Sequence, residues 1–312
     1  MPAIVTEVCA IEEVAAGVKA FTLRPLDGPA PPCPSGSHIV VDMPPPGRPA
    51  AYSLLDPGGG VYRIAVKHEP DSRGGSRYLH ALAPGSRLRV QAPANRFPLA
   101  AVPGPRLFIA GGIGITPFIA HMAALGADAN YQLHYTFRDA AGGAFAAQLA
   151  ERSQRGDARI HLYESRAGRR LDLDALIAAA PADSQVYVCG PERLIAAAAD
   201  ACARRLPAGR LHYERFCADT AAASAGFEVE LARSGLRLRV DADESILAAI
   251  ERQSSLRPDC LCREGYCGSC ETRLLAGDAE HRDQYLNEAE RRERIMICVS
   301  RAAGDGPLVL DL

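Results

Sequence analysis

Cys262-Arg263-Glu264-Gly265-Tyr266-Cys267-Gly268-Ser269-Cys270, followed later by Cys298, is the stretch around which the chain is organised. Four residues separate the first two cysteines, two separate the second and third, and twenty-seven precede the fourth. That is the plant-type spacing of a 2Fe–2S cluster. Three thiolates on one short loop wrap a small inorganic core, and a distant fourth pins the loop to its domain. Gly265 and Gly268 are expected to let the loop bend tightly and bring backbone N–H groups toward the sulfurs. Zinc is the first competitor, but structural zinc sites usually use two short-spaced knuckles, and this loop has one. Disulfides fit poorly, because nothing in the chain suggests secretion. A purely apolar role suits isolated buried cysteines, not three in nine residues. Cys260 stands two residues before Cys262; the four-residue gap selects Cys262 as ligand and leaves Cys260 as a buried neighbour.

The 312 residues suit two or three domains, and an apolar content of 48 % is enough for real cores. A formal net charge of −2 implies no nucleic-acid or strongly anionic partner. No run reaches the length of a membrane span, and the opening MPAIVTEV reads as a strand, not a signal peptide. Ten cysteines, four of them in the cluster pattern, fit a reducing cytoplasm.

Residues 1–102 read as all-β, with short alternating runs at 4–8, 20–23, 38–43, 61–66 and 87–90 between Pro/Gly-rich turns. Such spacing predicts a small antiparallel barrel, with one helix at 75–82. Residues 103–218 change character: strands at 107–110, 132–136, 159–163 and 185–189 alternate with alanine-rich helices, the pattern of a parallel doubly wound sheet. Residues 219–226 are small and polar, a linker. Residues 227–312 begin with a hairpin at 227–231 and 236–240 and a helix at 245–253. Strands at 271–275 and 295–300, flanking a helical stretch, then complete a compact α+β unit.

Four further motifs carry chemistry. In Arg48-Pro-Ala-Ala51-Tyr52-Ser53, a tyrosine can lie against a flavin ring; the alternative is a turn tyrosine. Ala65-Val66-Lys67 precedes Arg73-Gly74-Gly75-Ser76, where glycines open a helix and bare N–H groups attract phosphate; the alternative is a flexible loop with a helix cap. Gly111-Gly112-Ile113-Gly114-Ile115-Thr116-Pro117 follows a strand and precedes a helix, so a dinucleotide pyrophosphate could approach its backbone. Thr116 is expected to cap that helix and Pro117 to fit its first turn. Cys189-Gly190-Pro191 ends the last expected parallel strand, where a nicotinamide would lie; Cys189 could equally be a small apolar residue.

In this order, with the ferredoxin loop last, the motifs resemble the phthalate dioxygenase reductase family over essentially the full length. The resemblance implies FMN, NADH and a 2Fe–2S cluster on one chain, and a Rieske-type oxygenase as electron acceptor. It implies a flavin-binding antiparallel β-barrel, an α/β parallel-sheet nucleotide domain and a β-grasp ferredoxin domain. Carried over, Tyr52 and Ser53 meet the flavin, Ala65, Val66 and Lys67 line it, and Gly74, Gly75 and Ser76 hold its phosphate. Thr116 lies near flavin and nicotinamide, and Phe216 stacks where nicotinamide must arrive. Gly111, Gly112, Gly114, Pro117, Cys189, Gly190 and Pro191 would hold NADH, and Cys262, Cys267, Cys270 and Cys298 the cluster. The family arginine two residues before the tyrosine is Ala50 here, and Arg48 is the candidate substitute. Arg138 and Asp139 follow the second strand of the nucleotide domain; the aspartate would favour a free ribose 2′-hydroxyl, the arginine a phosphate. The family favours NADH.

A nicotinamide gives two electrons together and a cluster takes one at a time, so a flavin between them explains the three motif sets. No side chain is required as acid or base, and the histidines, His38 and His68 among them, are expected to be structural. Rival readings are the same reductase serving a haem monooxygenase, a cluster-holding redox sensor without NADH turnover, and a zinc-binding interaction module. A monomer in the cytoplasm, off the membrane, is the expectation.

Overall fold

The computed structural model describes residues 3–44, 49–70, 74–126, 129–157, 159–216, 225–283, 285–304 and 306–312. The chain divides into two compact units, Met1–Phe216 and Cys217–Leu312.

The first unit opens with β1 (Ala3–Ala15), β2 (Val18–Pro25), β3 (Ser37–Val41), β4 (Ala50–Ser53), β5 (Tyr62–Lys67), helix α1 (Gly75–His80), β6 (Arg87–Gln91) and the short β7 (Ala94–Asn95). The strands form one antiparallel sheet in the order β4-β3-β6-β1-β2-β5, with β7 beside β3. A bridge between Leu54 and Ile64 links the two ends, and the Leu55 amide donates to the Arg63 carbonyl at 2.8 Å, so the sheet curls into a barrel. Mostly β-branched residues at alternate positions, with Phe21 and Leu23, fill its interior: Val8, Phe21, Leu23, Ile39, Val41, Ile64 and Val90 are all buried.

Then β8 (Arg106–Gly111), α2 (Thr116–Leu125), β9 (Tyr131–Phe137), α3 (Ala146–Gln154), β10 (Ile160–Glu164), α4 (Leu173–Ala179), β11 (Gln185–Cys189), α5 (Glu192–Arg205) and β12 (Leu211–Glu214) alternate. The five strands are parallel, in the order β10-β9-β8-β11-β12. Strand order therefore reverses between β8 and β11, and a crevice at their carboxyl ends is where such sheets take ligands. The β12 strand is absent from the reading of the sequence. Barrel residues Val18, Leu55, Ala65 and Phe97 share one core with Phe108, Phe118 and Tyr187 of the parallel sheet, which makes barrel and sheet a single unit.

The second unit contains β13 (Phe227–Leu231), β14 (Leu236–Val240), α6 (Ile246–Gln253), β15 (Glu271–Ala276), β16 (Ala279–Glu280), β17 (Arg294–Met296), β18 (Arg301–Ala302) and β19 (Leu308–Leu310). Its main sheet runs β14-β13-β19-β15-β17, with β13 and β19 parallel and the other pairs antiparallel, a β-grasp. Ser245 caps α6, its Oγ accepting the Ala248 amide at 3.1 Å, and Ile246, Leu247, Ala249 and Ile250 bury the helix face. The expected helical stretch before the last long strand is not formed among the described residues, apart from a single 3-10 turn, Glu290–Arg292. Asp283 and Asn287 side chains take the amides of Tyr285, Leu286, Ala289 and Glu290, offering the backbone partners that a helix would otherwise supply. The expected strand at 295–300 stops at Met296, because the Val299 and Ser300 amides both turn back to the Met296 carbonyl.

Candidate functional site

The glycine-rich turn and the Cys189-Gly190-Pro191 turn meet at the switch point. A Cβ added at Gly114 would lie 2.3 Å from the Cys189 carbonyl oxygen, and one at Gly190 would lie 2.9 Å from the Gly111 Cα. A Cβ at Gly111 would meet the Pro191 ring at 2.7 Å. These three glycines let two backbones touch. Gly112 differs: its φ is +56° and nothing lies within 4 Å of a Cβ there, so its backbone faces open space. A 3-10 turn, Gly112–Ile115, runs straight into α2. Thr116 therefore does not cap the helix. It is its first residue, buried, and its hydroxyl donates to the Ile113 carbonyl at 3.1 Å; Pro117 does fit the first turn.

On the barrel side the Tyr-Ser element and the Gly-Gly-Ser element come together, the Tyr52 hydroxyl lying 3.4 Å from where a Gly75 Cβ would stand. Burial pushes the Tyr52 phenol up. Gly74 holds φ +102° at the N-terminus of α1. The Ser76 hydroxyl bonds the backbone of Glu69, accepting its N–H at 3.1 Å, so it already braces the loop. Ala65 and Val66 are buried, whereas Lys67 is exposed and pairs with Glu69 at 2.5 Å. Arg48 and Arg73 lie outside the described residues.

Reading the sequence missed Glu214. It ends β12, directly in register with Cys189 at the end of β11, and is buried. Ser53 Oγ donates to its carboxylate at 3.3 Å across 161 positions of sequence. Burial raises the Glu214 carboxyl to about 8, partly opposed by the Ser53 hydrogen bond. Burial, and next the Glu214 charge, hold the Cys189 thiol well above its ordinary range. Phe216, two residues on, packs partly buried against the shared core. Ser53, Glu214, Cys189 and the two glycine turns therefore lie together at the carboxyl ends of β8, β11 and β12. Just past the carboxyl end of β9, Asp139 is engaged: Arg166 Nη1 donates to it at 2.8 Å, and the Gly142 amide donates to its carboxylate at 3.0 Å. The Arg138 carbonyl accepts the Arg166 amide at 2.9 Å. Arg166 was not foreseen, and it adds a cation where the adenosine end of a dinucleotide would lie. His38 is buried and its imidazole is lowered to about 4, first by burial and then by Arg96, as suits a neutral structural residue.

In the second unit the four spaced cysteines fall into two pairs. The Cys262 thiol hydrogen-bonds Cys267 and holds it down to about 5, and the Cys262 amide donates to Cys267 Sγ at 3.4 Å. Cys270 and Cys298 are brought together by the β15–β17 ladder, in which Glu271 faces Met296. Two thiolates on each side fit a 2Fe–2S core, whose two irons each take two thiolates and two sulfides. Backbone amides point at sulfur all round the loop: Cys262 N–H donates to Cys267 Sγ and Glu264 N–H to Cys262 Sγ, each at 3.4 Å, and the backbones of Tyr266, Ser269 and Cys298 bond Cys262, Cys267 and Cys270. Gly265 and Gly268 have positive φ and pack closely: a Cβ at Gly268 would lie 2.1 Å from the Tyr285 ring, and one at Gly265 would be 3.0 Å from the Asp283 Cα. Arg263, itself at φ 56°, is held by a two-pronged ion pair with Glu251 of α6, at 2.9 and 2.5 Å. Cys260 departs from expectation. It is half-buried, and its sulfur sits with those of Cys270 and Cys298. The Leu261 amide bonds Ser269 Oγ at 2.7 Å, tying the segment before the loop across to the Cys267–Cys270 knuckle.

A family model, the 2Fe-2S iron-sulfur cluster binding domain, matches residues 229–303. The carnitine monooxygenase reductase subunit of Escherichia coli K12 is 43 % identical, the alignment covering 98 % of this chain and 97 % of that protein. The beta subunit of the heme-dependent oxidative N-demethylase of Ectopseudomonas mendocina is 44 % identical over 98 % and 97 %. The solved structure of a phthalate dioxygenase reductase, described as modular for electron transfer from pyridine nucleotides to [2Fe-2S], superposes with a TM-score of 0.73. It is 33 % identical, and the match covers 99 % of this chain and 98 % of that one. Glycine turns meeting at the switch point of a parallel sheet, a barrel packed on that sheet and a C-terminal β-grasp with paired cysteines place the chain in the phthalate dioxygenase reductase family, electron-transferring reductases of oxygenase systems.

Proposed function

We propose that this chain takes electrons from NADH, passes them through FMN and a 2Fe–2S cluster, and delivers them to a Rieske-type oxygenase or demethylase component. The observation that carries the reading is the convergence of the glycine turn 111–117, Cys189-Gly190-Pro191 and the Ser53–Glu214 pair on one crevice, on a chain that also holds two cysteine pairs. When bound, the nicotinamide supplies two electrons together, the flavin hands them on singly, and the cluster accepts one at a time.

The chain's own residues bind and position. Tyr52 and Ser53, with Ala65, Val66, Lys67 and Thr116, would line the flavin, and the α1 N-terminus at Gly74, Gly75 and Ser76 would take its phosphate. Ser76 acts there by bracing the loop through Glu69. Gly112 offers the open backbone to NADH, while Gly111, Gly114, Gly190 and Pro191 hold the two turns together. Phe216 would cover the flavin face where the nicotinamide must arrive. Glu214, kept neutral by burial, lets Cys189 and Ser53 form an uncharged wall beside the reacting rings. Asp139 would accept from the adenosine ribose and so favour NADH over NADPH, although its ion pair with Arg166 at 2.8 Å offsets part of its charge. Cys262, Cys267, Cys270 and Cys298 are the cluster ligands. The modules run 1–102, 103–218 and 227–312 in a cytoplasmic monomer; among the described residues no helix is long and apolar enough to cross a membrane.

Rapid mixing of the NADH-reduced chain with purified acceptors tests this. The account expects fast electron delivery to a Rieske-type oxygenase. Failure of the fully loaded chain to reduce ferricyanide or cytochrome c with NADH would sink it. A haem monooxygenase as acceptor is the second reading, favoured by the 44 % identity to a subunit of a heme-dependent demethylase. Faster delivery to a haem acceptor would establish it instead.

A further inference from the structure

The cluster region carries five cysteines where a plant-type cluster uses four. The sulfurs of Cys260, Cys270 and Cys298 all lie within 4.8 Å of one another. Cys262 stands apart from this set, its sulfur hydrogen-bonded with the Cys267 thiol and accepting the Glu264 amide. We propose that in the cluster-free chain Cys260, Cys270 and Cys298 form a site for one soft divalent ion, Zn2+ or Fe2+. Three thiolates bind, and the fourth position is open to water.

The geometry is close to what such an ion needs. Metal–sulfur bonds of about 2.3 Å place tetrahedral sulfurs about 3.8 Å apart, so each pair closes by at most about 1 Å. Two of the three ligands are fixed by regular structure. Cys270 immediately precedes β15 and Cys298 follows β17, and those strands are paired. The third is held by the Leu261–Ser269 bond and is half-buried, which gives an ion a route in. Thiolate sets of this kind select zinc and iron over hard cations. Three thiolates and one dication leave the site with one negative charge. The Arg263 guanidinium interacts electrostatically with Cys260 and Cys298 and partly offsets that charge. The site stands on the sulfur positions alone, so it survives or fails independently of the proposed electron path. If Cys270 and Cys298 are cluster ligands, the ion and the cluster exclude each other.

Co2+ titration of the cluster-free full-length chain, anaerobic and reduced, tests the site by its thiolate-to-metal charge-transfer absorbance. Wild type and Cys262→Ser should bind one Co2+ with this band. Cys260→Ser should bind about a hundredfold more weakly, since losing a ligand costs at least as much as losing an outer partner. In the unmodified chain, Zn2+ should protect Cys260 from alkylation, read by peptide mass, which needs no variant to fold. Equal binding by wild type and Cys260→Ser, equal loss in both serine variants, absence of a thiolate band, or an unprotected Cys260 would each overturn the proposal.

Discussion

The two cofactor regions of this chain are built by opposite means. The cysteine loop works through side chains: four sulfurs brought into two pairs, with amides of Cys262 and Glu264 directed at them. The crevice of the first unit works mainly through backbone and burial. Gly111, Gly114 and Gly190 let two turns touch, Gly112 leaves open the space a side chain would fill, and Glu214 stays neutral because it is buried. A thiolate site is therefore sensitive to which residue stands at a position. The crevice is sensitive to whether any side chain stands there at all.

The largest effect should come from the ligands. Cys270→Ser or Cys298→Ser should remove nearly all cluster iron and sulfide, measured by chemical analysis of the purified chain, whereas Cys260→Ser should retain both. Substitutions at the crevice glycines come next. Gly114→Ala places a Cβ 2.3 Å from the Cys189 carbonyl, so the turns must part. Overpacking of that kind costs about 3 kcal/mol and should weaken NADH binding at least about tenfold by titration. Unchanged NADH affinity would break the view that the two turns are set by backbone contact.

Glu214 gives a smaller effect with a definite sign. Its carboxyl is raised from 4.5 to about 8 by burial, so the folded state holds its proton where the unfolded chain has lost it. The stability tied to that proton is complete below about 4.5 and is lost as pH rises toward about 8. Glu214→Gln should remove this decline, seen as a narrower gap between melting temperatures measured on either side of the window. A wild-type melting temperature that rises through the window relative to the variant would contradict the assignment. The smallest effect on stability belongs to Gly112→Ala. No atom of the chain obstructs a Cβ there, and only the positive φ is unfavourable, at about 1 kcal/mol. Its NADH affinity should still fall, because the Cβ would occupy the open space assigned to the nucleotide; a melting temperature lowered more than in Gly114→Ala would reverse the roles assigned to the two glycines.

Much of the architecture was legible because it rests on local pattern. Alternating β-branched runs marked the barrel strands, strand–glycine–helix order marked the parallel sheet, and cysteine spacing marked the cluster loop. What escaped depends on distant partners. The β12 strand is four residues long and ends in a buried glutamate that meets Ser53, 161 residues away. The Cys260 sulfur sits beside Cys298 because of a bond between Leu261 and Ser269, which no spacing rule contains. The expected helix before β17 failed because Asp283 and Asn287 side chains took the amides locally. Thr116 looked like a cap until the 3-10 turn ahead of it absorbed the helix start.

The central claim is that electron entry and electron exit belong to separate units. The most direct measurement is an anaerobic NADH titration of Cys298→Ser, followed by absorbance. The account predicts that flavin bleaching stays as fast and as complete as in wild type while cluster bleaching is absent. Collapse of flavin reduction in a well-folded variant would contradict it.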